Sequence, residues 1–131
     1  MSDVDTITVS SGTVSQQASL EGLLGQTLVS AQSSLQSFGL IFDNGLGLLL
    51  EGVVEEGELA VGWKILSEAE MPRLSEAVCS VDWSWIYGCR VLALDAGESF
   101  RLTFDKVGKI TVNVGAWQGK PFLSFMPYKP L

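Results

Sequence analysis

From Phe100 the chain alternates strictly, with Phe100, Leu102 and Phe104 apolar and Arg101, Thr103 and Asp105 polar. A period of two is the mark of a strand with one dry face and one wet face. Asp105-Lys106-Val107-Gly108 follows. This is turn chemistry, in which Asp bonds nearby backbone and glycine takes positive φ. Ile110, Val112 and Val114 then alternate with Lys109, Thr111 and Asn113, so the segment reads as a hairpin. An earlier stretch follows the same plan: Phe38 to Asp43 is the first arm and Asp43-Asn44-Gly45 the turn. Its return arm differs, because Leu46-Gly-Leu-Leu-Leu-Glu51 is apolar on both parities. A strand of that kind is either covered on both faces or forms a contact between chains.

The likeness extends beyond the hairpins. Gly25 aligns with Gly88 and Leu28 with Val91, and one extra residue in the first loop brings Phe38–Asp43 onto Phe100–Asp105. One extra residue in the second turn puts Gly45 on Gly108, after which Gly52 meets Gly115 and Leu59 meets Phe122. The pattern predicts two pseudo-symmetric hairpin units, over about residues 23–63 and 86–126 of a single domain spanning 1–131. The expected fold class is mainly β: an antiparallel rolled sheet or small barrel with one short N-terminal helix. The helix is placed over 15–24, where Ser15 or Ser19 caps it and Leu20, Leu23 and Leu24 form one stripe. Residues 1–14 are either an edge strand or disordered, 67–77 read as a connector, and the tail Met126–Leu131 is not expected to continue a sheet past Pro127.

Charge changes the picture in one respect. The net charge is −7, and residues 1–63 hold eight acids with no Lys or Arg. That half repels nucleic acid and anionic lipid, and suits either solubility or a basic protein partner. No apolar run approaches the roughly 18–20 residues of a membrane span, and the first residues lack a basic-then-apolar leader. The expectation is a cytoplasmic protein with no membrane and no nucleic-acid partner.

The candidate chemistry is thin. With no histidine, a single chain has no His–carboxylate dyad and no His-containing zinc site. Cys79 and Cys89, ten residues apart, either pair across a hairpin or stay as two buried thiols. Asp43 and Asp105 occupy equivalent places, but two separate turn tips do not make a catalytic carboxylate pair, and they read as turn formers. Glu51, Glu55, Glu56 and Glu58 offer oxygen ligands without the spacing of a calcium loop, so no metal is expected. No nucleophile elbow, P-loop or dinucleotide fingerprint is present, so no cofactor is expected either. Alternation puts Trp83, Trp85 and Tyr87 on one face of a strand. They are either a platform for a partner or core, with Trp63 and Trp117 as neighbours.

Leu20-Glu-Gly-Leu23-Leu-Gly25-Gln-Thr-Leu28 resembles the opening of Sm-like proteins, which implies a helix leading into a strongly bent five-stranded barrel and an oligomeric scaffold. Their second motif, with its RNA-binding glycine and basic residue, has no counterpart here. The duplicated G-x-x-V/L and L-x-F-D units are also similar to small bacterial two-repeat β domains, some of them immunity-like proteins that neutralise a toxin. That resemblance implies a non-catalytic, acidic binder of a basic protein and transfers no site residues. The reading is therefore a binding or assembly module rather than an enzyme, the alternatives being an Sm-like scaffold or a small enzyme without a recognisable motif. Trp83, Trp85, Tyr87, Glu55, Glu56 and Glu58 are the candidate partner-binding residues. Leu46, Leu48, Leu49 and Leu50 are the candidates for self-association as a homodimer or higher oligomer.

Overall fold

The structure is a computed structural model that describes residues 20–74 and 81–127, together with the backbone of 129–130. Two four-stranded antiparallel meanders make up most of it. The first sheet runs β1 (Leu28–Ser33), β2 (Ser37–Phe42), β3 (Leu46–Glu55), β4 (Glu58–Ser67). A short strand, β5 (Val81–Asp82), precedes the second sheet of β6 (Val91–Ala96), β7 (Phe100–Phe104), β8 (Gly108–Trp117) and β9 (Lys120–Met126). Past Pro127, contrary to expectation, β10 (Lys129–Pro130) returns to pair with β5, outside the two large sheets. The mainly β, antiparallel expectation holds. The first half of the helix expected over 15–24, residues 15–19, lies outside the described residues; Leu20 and Glu21 are helical and turns follow to Gly25, with Leu20 and Leu23 buried.

The registers correct the alignment from the second turn onward, so that Gly52 corresponds to Val114 and Leu59 to Pro121 rather than to Gly115 and Phe122. Phe38 pairs with Leu50 and Leu40 with Leu48, while Phe100 pairs with Val112 and Leu102 with Ile110. Both turns hold three residues, 43–45 and 105–107, so there is no extra residue in the second. The positive-φ glycine simply sits one place later there, at Gly108 rather than at the counterpart of Gly45.

The motif residues meet between the sheets. Residues 25–28 and 88–91 run antiparallel, with Thr27 opposite Arg90. Gly25 N donates to Val91 O and Gly88 N to Leu28 O, both at 2.8 Å. Leu28 N donates to Cys89 O at 2.8 Å and Val91 N to Gln26 O at 3.0 Å. Gly25 and Gly88 enter this junction at φ of 81° and 85°, where a β-carbon is strained. Asp43 Oδ1 accepts from Thr27 N at 3.1 Å, and Asp105 Oδ1 accepts from Arg90 N at 3.0 Å. Each aspartate thereby ties the turn of its own hairpin to the junction.

No barrel closes, contrary to one of the two expected architectures. The register shifts between Leu28 and Ser30 in β1 and between Val91 and Ala93 in β6. Such bulges bend a strand, and the two edges pair only at this corner. Away from it the sheets pack face to face, β3 on β9 and β4 on β8. Between them lies one core in which Phe38, Phe42, Phe100 and Phe104 are fully enclosed with Leu40, Leu48, Leu50, Leu102 and Ile110. Removing each such side chain from water contributes about 1.5–3 kcal/mol.

The apolar return arm is covered from within the chain. Leu48 and Leu50 point into the core at 0% exposure, Leu46 packs against it half-buried, and Leu49 on the other face is 3% exposed. Over that outer face runs the segment 71–74 that follows β4: a β-carbon at Gly47 would lie 2.6 Å from Cγ and Sδ of Met71. One at Gly39 would lie 3.0 Å from Met71 Cε and 3.5 Å from Leu74 Cδ1. The two glycines let this strap lie directly on the strands. Leu46, Leu48, Leu49 and Leu50 are therefore not an exposed contact surface for a second chain, and the self-association assigned to them is corrected on that ground.

Candidate functional site

The aromatic run does not form the strand that alternation predicts. Asp82 Oδ1 accepts from Ser84 N at 3.0 Å and from Ser84 Oγ at 2.7 Å, and this local bonding winds Ser84–Ile86 into a 3₁₀ turn. The turn puts Trp83 and Ile86 together in the core. Trp83 packs 4.6 Å from the Phe38 ring and 5.1 Å from that of Phe125, centroid to centroid, and its Nε1 donates to the buried Ser33 hydroxyl at 2.9 Å. Trp83 is thus not available to a partner. Trp85, half-buried, stacks on it at 6.3 Å. Tyr87 is exposed, with its hydroxyl donating to Ala31 O at 3.0 Å. Trp83 and Trp85 are brought together, and Trp83, enclosed in the core, adds nothing to the exposed surface.

Glu55, Glu56 and Glu58 are exposed at the tip of the β3–β4 hairpin, where Glu56 has φ of 52° and Gly57 81°. Among the described residues no group of three or more His, Cys, Asp or Glu side chains is placed to hold a metal ion. Cys89 is buried and free, and Cys79 lies outside the described residues. Of the acids, Asp105 is held below its ordinary range first by the hydrogen bond from Arg90 N. Burial opposes this, and the guanidinium of Arg90 and the charge of Lys106 add to it. Glu70 is lowered by hydrogen bonds from Ser67, backbone first and hydroxyl second. Both shifts arise from local turn and junction bonding and gather no substrate-sized space around them.

The feature with the shape of a site lies at the β8–β9 end. There a groove of about 470 Å³ opens between the hairpin tip and the loop joining β1 to β2. Leu35, Ala116, Trp117, Pro121 and Phe122 supply its apolar walls, and Gln36, Gln118 and Lys120 its polar points. The loop is anchored to both sheets, since Leu35 O accepts from Leu123 N at 2.9 Å and Gln36 O from Gly52 N at 3.0 Å. Phe122 is laid against bare backbone, because a β-carbon at its partner Gly115 would meet the ring at 2.8 Å. Trp117 stands at the rim with 68% of its surface exposed.

In the sequence Trp117 stands only as a possible core neighbour of the aromatic run. The signal for its exposure was present: Lys109, Thr111 and Asn113 mark the wet parity of β8, and Trp117 shares it. An apolar concavity with a few polar points is the usual form of a binding site, and an exposed tryptophan beside it is the usual form of an anchor. No helix among the described residues is long and apolar enough to cross a membrane. Comparison with known protein families, with curated proteins and with solved structures finds no match.

Proposed function

We propose that the chain is a non-catalytic binding module that docks a basic protein through the groove at Trp117. The single observation that carries this reading is the groove itself: five apolar wall residues, one of them the rim tryptophan, and anchoring to both sheets. Charge supplies the partner's chemistry. The net charge is −7, and the β3–β4 arm passes the groove wall at Gly52, whose β-carbon position is 3.2 Å from Pro121 Cβ. Glu55, Glu56 and Glu58 begin three residues further on, about 10 Å along the strand. An apolar centre with charge at the rim is the anatomy of a protein interface, and the charge steers the encounter. This is also the role that the resemblance to immunity-like proteins implies. An Sm-like barrel scaffold finds no support in sheets that stay open. The matching junction bonds at 25–28 and 88–91 favour descent of the two sheets from one duplicated hairpin unit.

The test is calorimetric titration with a short Lys- and Arg-rich peptide carrying one aromatic anchor. Trp117→Ala and Leu35→Ala are expected to keep the fold by circular dichroism and to weaken binding at least about tenfold, as loss of a hot spot does. Unchanged affinity in both variants would remove the groove from the account. Self-association is a second reading that one observation favours: the apolar groove lining contains no acid, so two copies meeting there set no lining carboxylates against each other. Added salt separates the two, because it weakens binding of a basic partner and strengthens pairing of like-charged copies.

A further inference from the structure

The closest approach of the strap to the first sheet is made by a thioether. Met71 Cγ and Sδ sit against the backbone of Gly47, so closely that a β-carbon there would be 2.6 Å from each, and Met71 Cε sits against Gly39. At the far end, Leu74 N donates to Gln32 Oε1 at 2.9 Å. Beneath these residues Leu49 is 3% exposed. Met71 is itself only half-buried. It borders an open cavity of about 400 Å³ whose other walls include Ser30, Gln32, Glu68 and Arg73, so a small polar oxidant can reach it.

We propose that Met71 is a modification site, an oxidation-sensitive latch: conversion to the sulfoxide by a hydroperoxide releases residues 71–74 and bares the strip around Leu49. A sulfur lone pair attacks one peroxide oxygen, the O–O bond breaks and an S–O bond forms. The other oxygen leaves as water (or as an alcohol) with the transferred proton. Sulfur is oxidised by two electrons and the peroxide is reduced by two. The added oxygen has no space on the Gly47 side, and it turns an apolar, flexible group into a polar one. The sulfur must therefore swing out of its contact, and the strap goes with it. The sheet underneath keeps its own hydrogen bonds, so the change is local. Reduction of the sulfoxide resets it.

Met126, 67% exposed, is the internal standard for accessibility. The chain is titrated with hydrogen peroxide, each methionine is scored by peptide mass spectrometry, and amide exchange is followed by NMR. Once Met71 is converted, exchange of the Leu74 amide is expected to rise by roughly tenfold or more, as for a local opening. The Gly39 and Gly47 cross-peaks should move, and methionine sulfoxide reductase should restore all three signals. Met126→Leu should behave as wild type and Met71→Leu should not respond to peroxide. Complete oxidation of Met71 with Leu74 exchange unchanged would overturn the proposal. So would a Met71 that stays reduced where Met126 is fully converted.

Discussion

Trp83 and Trp117 are the same side chain with opposite fates, and hydrogen bonding and strand parity decide which. The Trp83 indole is enclosed by Phe38 and Phe125, and its N–H is satisfied by the hydroxyl of Ser33. Ser33→Ala leaves that donor buried without its partner and is expected to cost about 1–3 kcal/mol, read from the midpoint of urea unfolding. An unchanged midpoint would mean that water reaches the indole. The carboxyls of Asp105 and Glu70 give a second prediction at this scale. Both are held below their ordinary values, so the folded state takes up these protons less readily than the unfolded state. The resulting stabilisation is present above the ordinary carboxylate values and is lost as the pH falls through the lowered folded ones. Asp105→Asn should flatten that acid limb in a series of thermal melts, while an equally steep limb would place the acid sensitivity elsewhere.

At the scale of elements, the alternating arms were legible in the sequence because each strand has one wet face, and Phe100, Leu102 and Phe104 face the core as their spacing implies. The β3 leucines were legible only as an ambiguity. Apolar residues on both parities say that both faces are covered, and nothing local says by what. The answer is a strap joined to β4 by a turn, with Gly39 and Gly47 placed to receive it. The second sheet carries Arg101 and Lys109 in the matching places of its outer face, and both are exposed. Trp83 was misplaced for a different reason: Asp82 bonding to Ser84 replaces a period of two with a turn. One consequence is sharp. Leu48→Glu buries an unpaired charge in the core and should unfold the domain, at a cost above about 3 kcal/mol. A folded variant that merely changes oligomeric state by light scattering would put Leu48 on an interface instead.

For the whole molecule, two features that stand apart in the sequence, the acidic hairpin tip and the apolar groove, come together in the fold. The acidic first half was plain from composition, but its relation to an apolar groove walled mostly by the second half depends on how β3 crosses β9 at Gly52. The groove itself was illegible because Leu35 and Trp117 lie far apart in the chain and meet only through the β1–β2 loop. The most direct test is a titration of nitrogen-15-labelled protein with the basic, aromatic-anchored peptide, following the indole N–H signals of the four tryptophans. The account predicts that the Trp117 signal moves first and furthest, that Trp83 stays still, and that the affinity falls as salt is raised. A titration that leaves Trp117 in place, or an acidic peptide of the same anchor that binds equally well, would contradict it.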